Sequence, residues 1–292
     1  MAKNKILITG STGQLGMEFC SFKSDRFEFV GVVRKEADIR DYKQVIKMVK
    51  KYEPEIIIHT AAMTDVDACE RDQNLAMETN CSGTRNVALA AQKSNAAIVY
   101  FSTDYVFDGT KPSAYVESDA ANPISHYGYS KLMGEKVIRE FHGNWTIIRS
   151  GWIYSHYGKN FVKSIVSAAK KSKKPLKVVN DQRGSPTWTK EIVSQTMKIL
   201  ESGQNGLFHV AAQGEISRFD FAKQFLKRLN PSAKIEPCTS KEYPLPAKRP
   251  ARSTLTSERL DSLGMNLMRP IETSLNEFLD LYGDQLLNEV TN

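Results

Sequence analysis

Apolar, mostly β-branched runs recur at residues 6–8, 29–33, 56–58, 98–101 and 147–148, separated by stretches whose apolar positions repeat with helical period. Such runs suit strands buried on both faces of a parallel sheet. Their alternation with helical segments is the signature of βαβ units. Residues 41–51 place Val45, Ile46 and Val49 on one helix face with lysines elsewhere, and residues 74–95 fit a longer helix. Further on, 177–179 and 207–210 read as strands, and 160–170, 188–200, 218–229 and 271–281 as helices. The prolines of YPLPAKRP, residues 243–250, exclude helix and central strand and predict a loop. The pattern predicts an α/β fold with a doubly wound parallel sheet. Residues 1–150 form most of it, strands from about 177–215 return to it, and the remainder of 151–292 is a smaller, interleaved substrate-binding domain.

The first run opens into TGSTGQLG, which spaces Gly10, Gly13 and Gly16 before a helix starting at about Leu15. In a Rossmann-type unit the first glycine permits the tight turn, the second lets the backbone approach a pyrophosphate, and the third allows close helix packing. The free N–H groups of Gln14, Leu15 and Gly16 then face the phosphates. An ordinary strand-to-helix corner is the competing reading of the same glycines. Arg34 follows the strand FVGVV about 20 positions on, where an acidic residue grips a ribose 2′-OH and a basic one accommodates a 2′-phosphate. That position predicts NADPH, with NADH the alternative; a solvated strand end is the other reading of Arg34.

Composition narrows the class of protein without naming its chemistry. The 292 residues are 41% hydrophobic and 25% charged, ordinary for a soluble globular chain. No apolar run approaches the roughly 18 to 20 residues of a membrane span, and no leader pattern precedes the first strand, so a cytoplasmic location is expected. The net charge of +7 is partly carried by KKSKK, residues 170–174, at the end of a predicted helix, where lysines favourably face the dipole. No aromatic residues interleave that cluster, and no nucleic-acid-binding motif appears elsewhere. Cys20, Cys69, Cys81 and Cys238 are scattered without a CxxC pair, and His59, His126, His142, His156 and His209 show no metal-ligand spacing. No motif reports a metal.

The chemistry concentrates in STDYVFDG, residues 102–109, directly after a predicted strand, and in YGYSK, residues 127–131. Tyr127 and Lys131 stand four apart and share a helix face. A phenol of reference pKa about 10 is poorly matched to proton transfer at neutral pH, and a nearby ammonium lowers it. Thr103, at the carboxyl end of its strand where open α/β sheets place ligands, can hydrogen-bond the same substrate oxygen. Together they form a general-acid site for a carbonyl undergoing reduction.

Seven stretches in order, TGSTGQLG, HTAAMTDVDACE, STDYVFDG, YGYSKLMGE, RSGWIYSHYGKNF, VVNDQRGSPTW and YPLPAKRPARS, resemble the dTDP-4-dehydrorhamnose reductase family of the extended short-chain dehydrogenase/reductases. The resemblance covers nearly the whole chain. It implies a Rossmann fold, a nicotinamide cofactor, and hydride delivery to C4 of a nucleotide-linked 4-keto-6-deoxyhexose for surface polysaccharide synthesis. It places the catalytic roles on Thr103, Tyr127 and Lys131, the adenine contact on Asp38 and Ile39, and further cofactor contacts on Ala61 and Ala62. Trp152 would pack against the sugar ring, with Thr64, Asp104 and Tyr105 lining its pocket. Asn160, Gln182 and Arg249 would hold the nucleotide diphosphate. A homodimer is a family expectation. Related dehydratases carry Asp-Glu after the strand-end Thr, whereas Asp104 is followed here by Tyr105, which disfavours dehydration. Two alternatives stand: reduction of another nucleotide-linked 4-keto-6-deoxy sugar, and a non-catalytic role similar to the regulatory subunit of methionine adenosyltransferase.

Overall fold

The computed structural model describes residues 3–289 except His142 and Lys173, so Met1, Ala2, His142 and one lysine of the basic cluster lie outside the described residues. Six parallel strands form the main sheet: β1 Asn4–Thr9, β2 Phe27–Val32, β3 Ile56–His59, β4 Ala97–Thr103, β5 Trp145–Ser150 and β6 Gly206–His209. Their order is β6-β5-β4-β3-β1-β2, and every adjacent pair runs parallel. Chain order therefore reverses between β1 and β3. Connections leave the sheet in opposite directions at such a point and open a crevice at the carboxyl ends of the strands.

Helices in the first half are α1 Gln14–Ser21, α2 Tyr42–Tyr52, α3 Val66–Arg71, α4 Gln73–Met77, α5 Thr84–Lys93 and α6 His126–Phe141. Those in the second half are α7 Phe161–Lys171, α8 Thr189–Glu201, α9 Arg218–Leu229, α10 Glu258–Ser262 and α11 Ile271–Glu289. Side chains alternate across β1, so Ile6 and Ile8 join Phe19 of α1 and Ile192 of α8 in one core, while Leu7 joins Val45, Val87 and Ile138 in the other. Apolar burial on both faces fixes the sheet's register, because a one-residue slip would exchange the two sets.

Two expectations change. The single helix over 74–95 is instead α4, a π-helical turn at Glu78–Gly83, and α5. Within that turn Asn80 is fully buried; its side chain accepts from the Met63 N–H at 2.8 Å and donates to the Met63 carbonyl at 3.0 Å and to Ser130 Oγ at 2.9 Å. A π turn adds a residue to the helical repeat, and here it turns a polar side chain inward to anchor a loop. The strand expected at 177–179 does not return to the main sheet. Leu176–Val179 pairs in parallel with Ile235–Cys238, with Val178 buried in, and Leu176 partly buried against, a third core built by α7, α9 and α11 around Phe221, Phe225 and Phe278. Among the described residues, β6 is the one later strand that joins the sheet.

Candidate active site

The carboxyl ends of β1, β3, β4 and β5 border a cavity of about 700 Å³. Each glycine of its opening turn has a separate physical reason. Gly10 has φ 69°, and a Cβ there would meet the Ala61 backbone at 2.7 Å. At Gly16 a Cβ would meet the Gly10 carbonyl at 2.3 Å, so the first turn of α1 sits directly on the loop. Nothing but the Gly10 carbonyl, at 3.4 Å, lies near a Cβ at Gly13; the space in front of it belongs to the cavity. Helix α1 begins at Gln14 with no side-chain cap and no acidic residue in its first turn. Open N–H donors at a helix start facing a space that any Cβ would narrow fit a dinucleotide pyrophosphate.

At the β2 end of the cavity, Asp38 accepts from Arg40 Nη2 at 2.7 Å and from Arg34 Nε at 3.3 Å. The Arg40 guanidinium holds the Asp38 carboxyl well below the usual carboxylate range. Arg34, Asp38 and Ile39 all line the cavity, as do Ala61 and Ala62. Arg40 lines it as well and was not anticipated from the sequence.

Thr103 ends β4, and α6 lies close against the turn that follows it. Ser125 Oγ accepts from the Gly128 N–H at 3.2 Å and Glu70 from the His126 N–H at 3.0 Å, which fixes the start of α6. A Cβ at Gly128 would lie 2.0 Å from the Tyr105 carbonyl, so only glycine allows this approach. Thr103 and Tyr127 consequently line the same cavity, and the Tyr105 and Tyr127 rings meet edge-on with centroids 5.9 Å apart. Beneath them His59 bridges Thr9 Oγ1 at 2.7 Å and Thr84 Oγ1 at 3.1 Å, and burial lowers it to about 3, keeping it a neutral structural ring.

The expected lowering of the Tyr127 pKa by Lys131 is not what this arrangement gives. Burial raises Tyr127 above its ordinary value, partly offset by the Thr103 hydroxyl. Burial also lowers Lys131 to about 7, with Glu135, one turn on, acting the other way. Only 3% of Lys131 is exposed, and its ammonium lies 4.2 Å from the centroid of the Tyr100 ring. The ammonium therefore stands close to titration rather than as a fixed charge. Its unfolded value is 10.5, so between about 7 and 10.5 the unfolded chain holds a proton that the folded protein sheds, and stability rises with pH across that window. Lys131→Met removes this contribution: the urea midpoint of the parent, relative to the variant, rises between about pH 7 and pH 10. A constant difference contradicts it.

Beyond Thr103, the cavity is walled by Thr64, Asp104, Tyr105 and Trp152. Asp104 is buried and accepts from Thr103 Oγ1 at 3.0 Å, and burial raises it to about 6. Trp152 holds φ 49°, an uncommon conformation for a bulky residue, and its buried indole N–H is unpartnered. The remaining expected residues lie outside the lining. Lys131 is behind the wall, and Asn160 caps α7 while donating to Gln14 Oε1 at 3.2 Å. Gln182 donates to Ser240 Oγ at 3.0 Å. Arg249 is committed to Asp67 of α3 at 2.8 Å. Arg218 and Lys159 line the cavity without having been singled out from the sequence. A lone Arg or Lys in an amphipathic pattern carries no signal that separates it from a solvated face.

Residues 4–283 match the family model described as RmlD substrate binding domain. The chain is 36% identical over 276 residues to the spore coat polysaccharide biosynthesis protein SpsK of Bacillus subtilis, covering 94% of this chain and 96% of that protein. It is 35% identical to the dTDP-4-dehydrorhamnose reductase of Burkholderia thailandensis, covering 88% and 91%. Among solved structures, the dTDP-4-dehydrorhamnose reductase of Bacillus anthracis in complex with NADP superposes with TM-score 0.91 at 36% identity, covering 95% of this chain and 99% of that one. With a Rossmann-type sheet, a glycine turn, and Thr103 and Tyr127 on one cavity, the chain belongs to the RmlD family of dTDP-4-dehydrorhamnose reductases.

Proposed function

We propose that this protein reduces the C4 ketone of a nucleotide-linked 4-keto-6-deoxyhexose with NADPH, and that the sugar is dTDP-4-dehydro-L-rhamnose, giving dTDP-L-rhamnose. The observation that carries this reading is that Thr103 and Tyr127 open onto the same cavity as the Gly10–Gly16 turn. A proton donor, an orienting hydroxyl and a pyrophosphate cradle on one space are what carbonyl reduction requires. The half within 1–150 would hold the cofactor and the half within 151–292 the sugar nucleotide.

Bound at the glycine turn, NADPH supplies the hydride. Tyr127 gives its hydroxyl proton to the C4 oxygen as negative charge develops there, and Thr103 donates to the same oxygen and orients it. Lys131, one turn along α6, is the group that titrates near neutrality, and its protonated form is the one the reduction uses. Arg40 also satisfies Asp38, so the exposed Arg34 guanidinium, which shares that carboxylate, would be free to turn to a 2′-phosphate.

Net consumption of NADPH on addition of dTDP-4-dehydro-L-rhamnose tests the reading and separates reduction from epimerisation, which returns its hydride. Arg34→Gln is expected to raise the KM for NADPH roughly tenfold and to leave that for NADH unchanged. Equal efficiency of the parent with both cofactors would contradict the role given to Arg34.

A further inference from the structure

Of the arginines that line the cavity, Arg34 and Arg40 are matched to a carboxylate and Arg218 is not, and several arginines outside the lining are likewise paired. Arg34 and Arg40 share Asp38, Arg249 has Asp67, Arg149 has Glu135, and Arg183 and Arg252 share Glu215. Arg218 lines the cavity with neutral partners. Its Nε donates to Gln182 Oε1 at 3.1 Å and its Nη2 to the Tyr105 hydroxyl at 3.3 Å. The guanidinium carbon lies 4.0 Å from the centroid of the Trp152 ring and 5.4 Å from that of Phe161. Asp104 feels this charge but lies beyond ion-pair distance.

This placement is built rather than incidental. Ser217 accepts from the Asp220 N–H and caps α9, so the helix starts at Arg218 with its side chain over the cavity. Gln182 is itself held by Ser240, and Ser240 by Asp181, which fixes one edge of the guanidinium. Stacking on Trp152 fixes its plane. Of five guanidinium donors, two are used by Gln182 and Tyr105, and the other three remain for a ligand. A preorganised fork with uncompensated charge in a partly desolvated wall suits a phosphate oxygen pair better than a sugar hydroxyl.

We propose that Arg218 is a specificity-determining residue, taking the diphosphate of the sugar nucleotide by charge-assisted hydrogen bonds. This rests on the nucleotide-sugar reading above, and it moves the diphosphate contact away from Arg249, whose guanidinium Asp67 already occupies.

Calorimetric titration of the NADP-loaded protein with thymidine diphosphate and with thymidine tests it. Arg218→Gln is expected to weaken thymidine diphosphate roughly 10- to 100-fold and to leave thymidine unchanged. Equal weakening of both, or of neither, overturns the assignment. Where Arg218→Gln fails to bind NADP, Arg218→Lys decides: a several-fold loss for thymidine diphosphate alone upholds the role, and unchanged affinity overturns it. A parent protein that binds NADP but no thymidine diphosphate overturns the nucleotide-sugar reading and the Arg218 role with it. A parent that binds it as well as Arg218→Gln does overturns Arg218 alone.

Discussion

Replacing Tyr127 with Phe is expected to lower kcat for ketone reduction roughly 10²- to 10⁴-fold while the dissociation constant for NADPH stays unchanged. The substitution removes one oxygen and keeps the ring that meets Tyr105 edge-on, so the wall of the cavity is preserved. What is lost is the proton for the C4 oxygen. Thr103 can turn its one hydroxyl proton from Asp104, its acceptor at 3.0 Å, toward the C4 oxygen, but an alcohol is a weaker acid than a phenol and does not replace the proton donor. Because burial raises Tyr127, the parent holds its proton throughout the neutral range, and a fall in rate with rising pH would follow Lys131, held at about 7, rather than the phenol. Steady-state rates of parent and variant with saturating NADPH, beside a fluorescence titration of cofactor, measure both quantities. Full activity in the variant would remove Tyr127 from the mechanism.

A comparably large effect is expected on stability from the ion pair beneath the site. Arg149 of β5 donates through Nε and Nη2 to the two carboxylate oxygens of Glu135 on α6, both at 2.8 Å, with side-chain exposures of 4% and 1%. Glu135→Ala leaves a buried guanidinium without its partner and is expected to cost about 3–5 kcal/mol in urea unfolding. Replacing both members together with apolar residues of similar volume is expected to recover most of that loss, since the pair's own desolvation is then removed as well. Glu135 also stands one turn from Lys131 and supports its charged form, so Glu135→Gln should shift the pH dependence of turnover to lower pH. A Glu135→Ala variant as stable as the parent would contradict the assignment of this pair as a structural tie.

The legible parts of the molecule are those fixed by short-range pattern. The runs 6–8, 56–58, 98–101 and 147–148 declare buried strands because apolar residues stand side by side rather than alternating with polar ones, and each lies in the main sheet. Thr103 and the Tyr127/Lys131 pair were readable because strand-end placement and i, i+4 spacing are local facts. Partner choice is not local. Leu176–Val179 looks like a sheet strand, yet its partner Ile235–Cys238 lies beyond two helices, and nothing in its own residues says so. The π turn at Glu78–Gly83 hides within 74–95 because one additional residue barely disturbs an apolar period. Arg218 and Arg249 differ only in what they reach: a hydroxyl 113 positions away in one case, a carboxylate 182 positions away in the other. Family resemblance pointed to the second; the carboxylates around the cavity single out the first.

The most direct test of the central claim is transfer of deuteride from NADPH carrying deuterium at both C4 positions of the nicotinamide to dTDP-4-dehydro-L-rhamnose, followed by NMR of the product. The account predicts one deuterium at C4 of the sugar for each NADPH oxidised in the parent, and almost no transfer in Tyr127→Phe. Deuterium at another carbon, or NADPH oxidised without labelled sugar, would contradict it.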